Sequence, residues 1–165
     1  MSKLLCILVD TNVWIDNYAP VRKESERSRQ LIDMARNNGA SLVYPVHVLK
    51  DVFYNLSATN KRRCMNERGE LSEADYLAIR ELSWACIENM ADLAFAVGAD
   101  QSDVWLARKY RSFSNDLEDN FVMAAAERAN ADFIVTRDEK LLRKSSVKAF
   151  TPEDALAFLE LNTAS

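Results

Sequence analysis

Asp116 and Asp119 open a stretch whose residue types can do chemistry, and Asp138 closes it. Phe121, Val122, Ala125, Ala126 and Ala129 follow the acidic head at spacings of three and four, so they predict a helix with one apolar face that ends near Asn130. Phe133-Ile134-Val135 is apolar throughout and reads as a short buried strand that stops at Thr136-Arg137-Asp138. In an open parallel sheet, helix N-termini and strand C-termini share one edge, and ligands bind at that edge. Asp116, Asp119 and Asp138 can therefore face one cleft although they are far apart in sequence.

Two more aspartates sit at comparable places. The apolar run Leu4–Val9 predicts a central strand, and Asp10 ends it, followed by Thr11 and Asn12. Asp51 falls about one and a half turns into a helix that follows a second strand. Each carboxylate alone could be a helix cap, and Glu118, Asp132 and Asp154 are read as caps or surface charges. Asp10, Asp119 and Asp138 on one sheet edge are harder to explain that way. Converging carboxylates repel and raise one another's pKa, and a hard divalent cation relieves the repulsion. Mg²⁺ or Mn²⁺ suits carboxylate oxygens, binds phosphates and activates water. His47 shares a helix face with Asp51, but it is the only histidine. Its spacing from Asp51 could suit a metal pair, but without a second His or Cys nearby a zinc site is not expected, and His47 is read as a surface or supporting residue. The cluster points to phosphodiester hydrolysis.

The elements that must position these groups alternate between strand and helix. A helix is predicted over 24–38 with Gly39 as its C-terminal stop, then a strand over 41–44 closed by Pro45. A helix over 46–56 carries the stripe Val48, Leu49, Val52, Phe53 and Leu56. The polar stretch 57–69 reads as a helix end running into a loop or irregular helix. A helix over 72–90 opens with Ser72 and Asp75, with Ala78, Ile79, Leu82, Ala85 and Cys86 inward. A third strand is read over 92–97, with a helix over 93–97 as the alternative, then a helix over 101–111, a short helix after Asp138, a strand over 147–150, and a last helix capped by Thr151. Such alternation implies an α/β fold, a parallel sheet with helices on both faces. No Gly-x-Gly-x-x-Gly or Walker A lysine motif occurs, so a dinucleotide or P-loop site is not expected.

The 165 residues, 48% apolar and 28% charged, suit one domain spanning 1–165. No apolar run approaches the ~20 residues of a membrane span. The three cysteines have no paired spacing, and Cys6 and Cys86 read as buried thiols. A reduced, cytoplasmic protein is expected. The net charge of −4 argues against a general nucleic-acid coat. Local basic clusters remain at Lys61-Arg62-Arg63 with Arg68, at Arg108-Lys109 with Arg111, and at Arg137, Lys140, Arg143 and Lys144.

The motifs together resemble the PIN-domain ribonucleases, the fold of VapC-type toxins. Leu-Cys-Ile-Leu-Val-Asp10-Thr-Asn12 is similar to the family's first strand and first acid. Asp119-Asn-Phe-Val-Met-Ala124-Ala-Ala126 is similar to its central acid followed by small residues, and Ile-Val-Thr136-Arg-Asp138 to its last acidic motif. Asp116 matches an extra acid of the PilT-like branch. The resemblance implies a three-layer α/β/α sandwich with five parallel strands in the order 3-2-1-4-5 and frequent homodimers. It implies catalysis by Asp10, Asp51, Asp119 and Asp138, and Mg²⁺ or Mn²⁺ held by Asp10, Asp119, Asp138 and Asp116. Asn12 and Thr136 would support these ligands, while Arg137 or Lys140 contacts the substrate phosphate. Water would attack an RNA phosphodiester in line, leaving a 5′-phosphate and a 3′-hydroxyl, and a toxin would have a protein antitoxin as partner. The family usually places Glu where this chain has Asp51. That departure keeps a rival alive, a catalytically inactive PIN scaffold that binds RNA or a protein. A metal-dependent phosphatase is a third reading, weakened by Asn12 standing where the haloacid dehalogenase pattern needs a second Asp.

Overall fold

The computed structural model describes residues 4–163. Strand β1, Cys6–Val9, is at the centre of a five-stranded sheet. It pairs in parallel with β2, Ser41–Pro45, and with β4, Phe133–Val135. The outer strands are β3, Phe95–Val97, and β5, Ala149–Phe150. The strand order is 3-2-1-4-5 and every pairing is parallel, as the resemblance implied.

Side chains alternate across a strand, so the central strands feed two cores. Ile7, Val9, Leu42, Tyr44, Phe133 and Val135 face one side. There they meet Trp14 and Ile15 of α1, Thr11–Tyr18; Leu31 and Ile32 of α2, Ser25–Asn37; Val48, Val52 and Leu56 of α3, Val48–Arg68; Ile87 and Met90 of α4, Glu73–Leu93; and Ala155 and Leu159 of α8, Pro152–Thr163. Leu8, Val43 and Ile134 face the other side. They meet Leu106 of α5, Gln101–Lys109, Met123 and Ala126 of α6, Leu117–Arg128, and Leu141 of α7, Glu139–Lys144. The result is a three-layer α/β/α sandwich.

Several boundaries differ from the sequence expectation. Residues 57–68 continue α3 as regular helix, because Lys, Arg, Met and Glu are good helix formers and the tail lies along α4. Gly69, at φ 80°, supplies the left-handed stop. Helix α4 runs on to Leu93, which leaves β3 only three residues. Its buried stripe is Ile79, Ser83, Ile87 and Met90, whereas Ala78, Leu82 and Ala85 are exposed. The expected capping box of Ser72 and Asp75 is present. Helix α6 is buried almost all round from Val122 to Ala126, being held between the sheet and α5, rather than along one face. A 3-10 turn, Tyr110–Ser112, extends α5. Cys6 and Cys86 are half-buried, with Cys6 Sγ against the Ala129 carbonyl at 3.7 Å.

Candidate active site

The carboxyl ends of β1 and β4 are adjacent, and the backbone ties them: Asp10 N–H donates to the Val135 carbonyl at 3.0 Å. Asp10 caps α1, its Oδ1 accepting from Thr11 N at 2.7 Å. Its Oδ2 accepts from Thr136 Oγ1 at 2.7 Å and from Asn12 Nδ2 at 2.9 Å. Asn12 Oδ1 accepts from the Arg137 backbone N–H at 3.0 Å, which fixes the amide's orientation. Thr136 is fully buried, and its hydroxyl also accepts from the Asp138 N–H at 3.0 Å. One hydroxyl therefore connects the first and last acids.

The other acids arrive from helix starts. Asp138 caps α7, its Oδ1 accepting from Lys140 N and Leu141 N. Asp116 caps α6, its Oδ1 accepting from Glu118 N. Asp119, one turn in, is buried, and its Oδ2 accepts from Ser114 Oγ at 2.9 Å. Asn120 Nδ2 donates to the Ser114 carbonyl at 3.0 Å, so the segment before α6 is pinned at both its backbone and its side chain. Asp51, half-buried in the first turn of α3, has Lys50 Nζ 3.3 Å from its Oδ1.

Burial is the largest influence on Asp10 and raises its pKa, with Asp138 adding repulsion; the hydrogen bonds from Thr136, Thr11 and Asn12 oppose it. Asp119 is raised by burial first, then by Asp138 and Asp116, against Ser114 and Lys140. Glu118 is raised by burial and then by Asp51, Asp10 and Asp116, with His47 opposing. Six acids from four parts of the chain thus share one electrostatic neighbourhood. Lys140 opposes it at Asp119, His47 at Glu118, and Lys50 pairs with Asp51.

Glu118 is exposed, as read from the sequence, and it also belongs to this neighbourhood. The rule that drew attention to Asp119, a carboxylate in the first turn of a helix on the ligand edge, applied to Glu118 as well. Ser114 had no signal in sequence. His47 is half-buried with its ring 6.0 Å from that of Phe121, and its Nε2 is buried without a hydrogen-bond partner. Asp132 is no idle charge either, since its Oδ2 accepts from Cys6 N at 2.9 Å.

Arg137 is the clearest departure. Its Nε donates to Asp16 at 2.6 Å, its Nη1 bridges both Glu153 oxygens at 3.1 Å, and its Nη2 reaches the Glu24 carbonyl and Ser28. The guanidinium joins α1, α2 and α8 and does not point at the acids. Lys140 is exposed and faces Asp119 electrostatically.

The donor set is all hard oxygen, which fits Mg²⁺ or Mn²⁺. Asp116, Asp119 and Asp138 each commit one oxygen to the hydrogen bonds above and, among the described residues, leave the other without one. Among the described residues, however, no three His, Cys, Asp or Glu side chains come close enough to form a metal cage. Among the described residues the expected joint set of Asp10, Asp116, Asp119 and Asp138 is therefore not drawn into one cage: capping holds Asp10, Asp116 and Asp138 at their own helix starts, and Ser114 holds Asp119 one turn into α6. Mg²⁺ ordinarily takes one or two protein carboxylates and keeps several waters, and that looser mode is the one this arrangement fits.

The sequence model described as PIN domain matches residues 6–140. The chain belongs to the PIN-domain family. No curated protein sequence matches this PIN domain. Its fold is similar to the crystal structure of FitAcB from Neisseria gonorrhoeae, at 17% identity and a TM-score of 0.61, covering 89% of this chain and 98% of that one. It is also similar to VapBC2 from Rickettsia felis bound to a DNA fragment from their promoter, at 11% identity, with the same TM-score of 0.61 and the same 89% and 98% coverage. Among the described residues no helix is long and apolar enough to cross a membrane.

Proposed function

We propose that this PIN domain is a metal-dependent ribonuclease that hydrolyses RNA phosphodiester bonds in the cytoplasm. The observation that carries the reading is the placement of Asp10 and Asp138 at adjoining strand ends, joined through the Thr136 hydroxyl, with Asp119 near enough for Asp138 to repel it as it repels Asp10. One or two of Asp10, Asp119 and Asp138 would hold Mg²⁺ or Mn²⁺ with waters completing its shell, and Asp116 and Asp51 would stand beside them. When bound, the cation neutralises the carboxylates, activates water and stabilises the leaving oxygen. Thr136 and Asn12 hold Asp10 in one orientation, and Ser114 does the same for Asp119. Lys140 meets the scissile phosphate. Products with a 5′-phosphate and a 3′-hydroxyl follow from in-line attack by water.

The test is cleavage of a panel of structured and single-stranded RNAs by the purified chain with Mn²⁺ or Mg²⁺. An EDTA control and an Asp119→Asn variant complete it. Metal-dependent cleavage should appear and fall at least ~100-fold in the variant, the scale on which a positioned acid–base group acts. An absence of cleavage with every metal and every RNA would count against the enzyme.

A second reading has its own support. No three carboxylates form a cage, and Asp51 stands where the family usually has Glu, one methylene longer. These features favour an inactive scaffold that binds RNA or a protein. Metal titration separates the two readings. The resemblance to VapC-type toxins and the fold shared with VapBC2 support a homodimer that pairs with a small antitoxin protein. Growth arrest on expression, relieved by the product of a neighbouring gene, is the observation that would establish that role.

A further inference from the structure

We infer that the pocket between α3 and α4 is a stacking seat for a nucleobase of a single-stranded RNA whose backbone passes the carboxylate edge. The inference rests on the ribonuclease reading and adds to it how the substrate strand is held. The pocket is lined by Leu49, Lys50, Phe53, Tyr54, Trp84 and Ile87, with a volume of about 280 Å³. Phe53 is its centre, with ring centroids 5.3 Å from Tyr54 and 5.2 Å from Trp84 and the rings steeply inclined. Tyr54 is 64% exposed and Trp84 51% exposed, so two large ring surfaces meet solvent beside a half-buried third.

Position and charge select the occupant. Lys50 is the one charged residue in the lining, and its Nζ lies 3.3 Å from Asp51 Oδ1, so the rim of the pocket meets the acidic edge. Tyr54 is three residues beyond Asp51, about 4.5 Å along the helix axis. A strand with its phosphate at the carboxylates thus has a neighbouring base within reach of the aromatic rings. Aromatic side chains accept any base through its π-face, and single-stranded binding proteins combine such rings with nearby cations. The chain carries a net charge of −4 and presents acids at its candidate site, so phosphate attraction alone holds RNA poorly. Stacking supplies affinity that this charge does not oppose. A duplex keeps its bases stacked inside and offers none to the pocket.

The experiment uses the full chain carrying Trp105→Phe, which removes the other exposed indole, on an Asp119→Asn background so that RNA is not cut. Trp84 fluorescence is titrated with a short single-stranded RNA in Mg²⁺, and with the same sequence annealed to its complement. Single-stranded RNA should quench Trp84 and duplex should not. Trp84→Ala and, separately, Tyr54→Ala should each weaken binding about five-fold or more, by labelled-RNA anisotropy, with unfolding midpoints close to the parent's. Trp84→Phe should retain most of the affinity. The Trp84→Ala loss should be similar at low and high salt, as stacking requires and a phosphate contact does not.

Absence of quenching, or unchanged affinity in both alanine variants, overturns the inference. So does a Trp84→Ala variant that changes the sedimentation mass but not RNA binding, since the pocket would then be a face between copies of the chain. Metal-dependent cleavage with unchanged affinity in both alanine variants would leave the ribonuclease standing and remove the stacking seat. Quenching without cleavage by the native chain would do the reverse.

Discussion

Thr136 ties the first and last acids of the edge together. Its hydroxyl donates to Asp10 and accepts from Asn12 and from the Asp138 backbone, and Thr136 itself is fully buried. Thr136→Val keeps the shape and removes all three contacts. Groups that orient metal ligands typically cost 10–100-fold when lost, so cleavage should fall by about that factor while the fold persists. The direction of the pH effect is fixed as well. The Thr136 hydrogen bond holds the Asp10 carboxyl down against burial. Without it Asp10 titrates still higher, and the acidic limb of the pH–rate profile should move to higher pH. Thr136→Ser should restore both the rate and the limb. A residue that served packing alone would leave the limb where it was. At this scale Asp10 was legible from its place at a strand end, and Asn12 and Thr136 only through the family resemblance. Ser114 was not, because its role depends on a turn that brings position 114 back against α6.

At the scale of elements, legibility followed locality. The strand Phe133–Val135 and the caps of α4 and α8 are written in adjacent residues, and the structure has them where the pattern put them. The tail of α3 and the buried face of α4 depend on each other, so neither could be read from its own stretch. Arg137 shows the same limit. Beside Asp138 in sequence it looks like a substrate contact, yet α1, α2 and α8 converge on it. Asp16, only 2% exposed at its side chain, takes Arg137 on one oxygen and Arg22 on the other at 2.8 Å. Arg137→Ala leaves a buried carboxylate with one partner. Breaking a buried pair costs about 3–5 kcal/mol, and the remaining Arg22 contact places this case near the low end. Chemical denaturation should show a loss of about 3 kcal/mol, with the cleavage rate per folded molecule within a few-fold of the parent. A large rate loss with unchanged stability would return Arg137 to the substrate.

For the whole molecule the acidic edge makes stability depend on pH and on metal together. Asp10, Glu118 and Asp119 are raised above their ordinary values of 3.8, 4.5 and 3.8. Between the ordinary and the raised pKa the folded chain binds more protons than the unfolded one, so stability falls as pH rises through that window. At neutral pH without metal, the fold bears the whole repulsion. Asp75 and Asp100 are lowered by hydrogen bonds at Ser72 and Ser102, and their contribution is lost only as pH falls below the ordinary 3.8. In EDTA the melting temperature should therefore climb as pH drops from 7 into the mildly acidic range, then turn down in strong acid. Mg²⁺ or Mn²⁺ at about 100 times its Kd should add roughly 2.7 kcal/mol at neutral pH. For a domain of this size that is on the order of 5–10 °C. The gain should shrink at mildly acidic pH, because protons compete for the same oxygens. Asp119→Asn removes one repelling charge, so it should raise the metal-free melting temperature at pH 7 while reducing the metal-induced gain. Thermal melts of both proteins at two pH values, with EDTA and with metal, read all of these directions at once. A melting temperature indifferent to metal at neutral pH would mean that the carboxylates do not serve a cation, and the scaffold reading would then account better for the acidic edge.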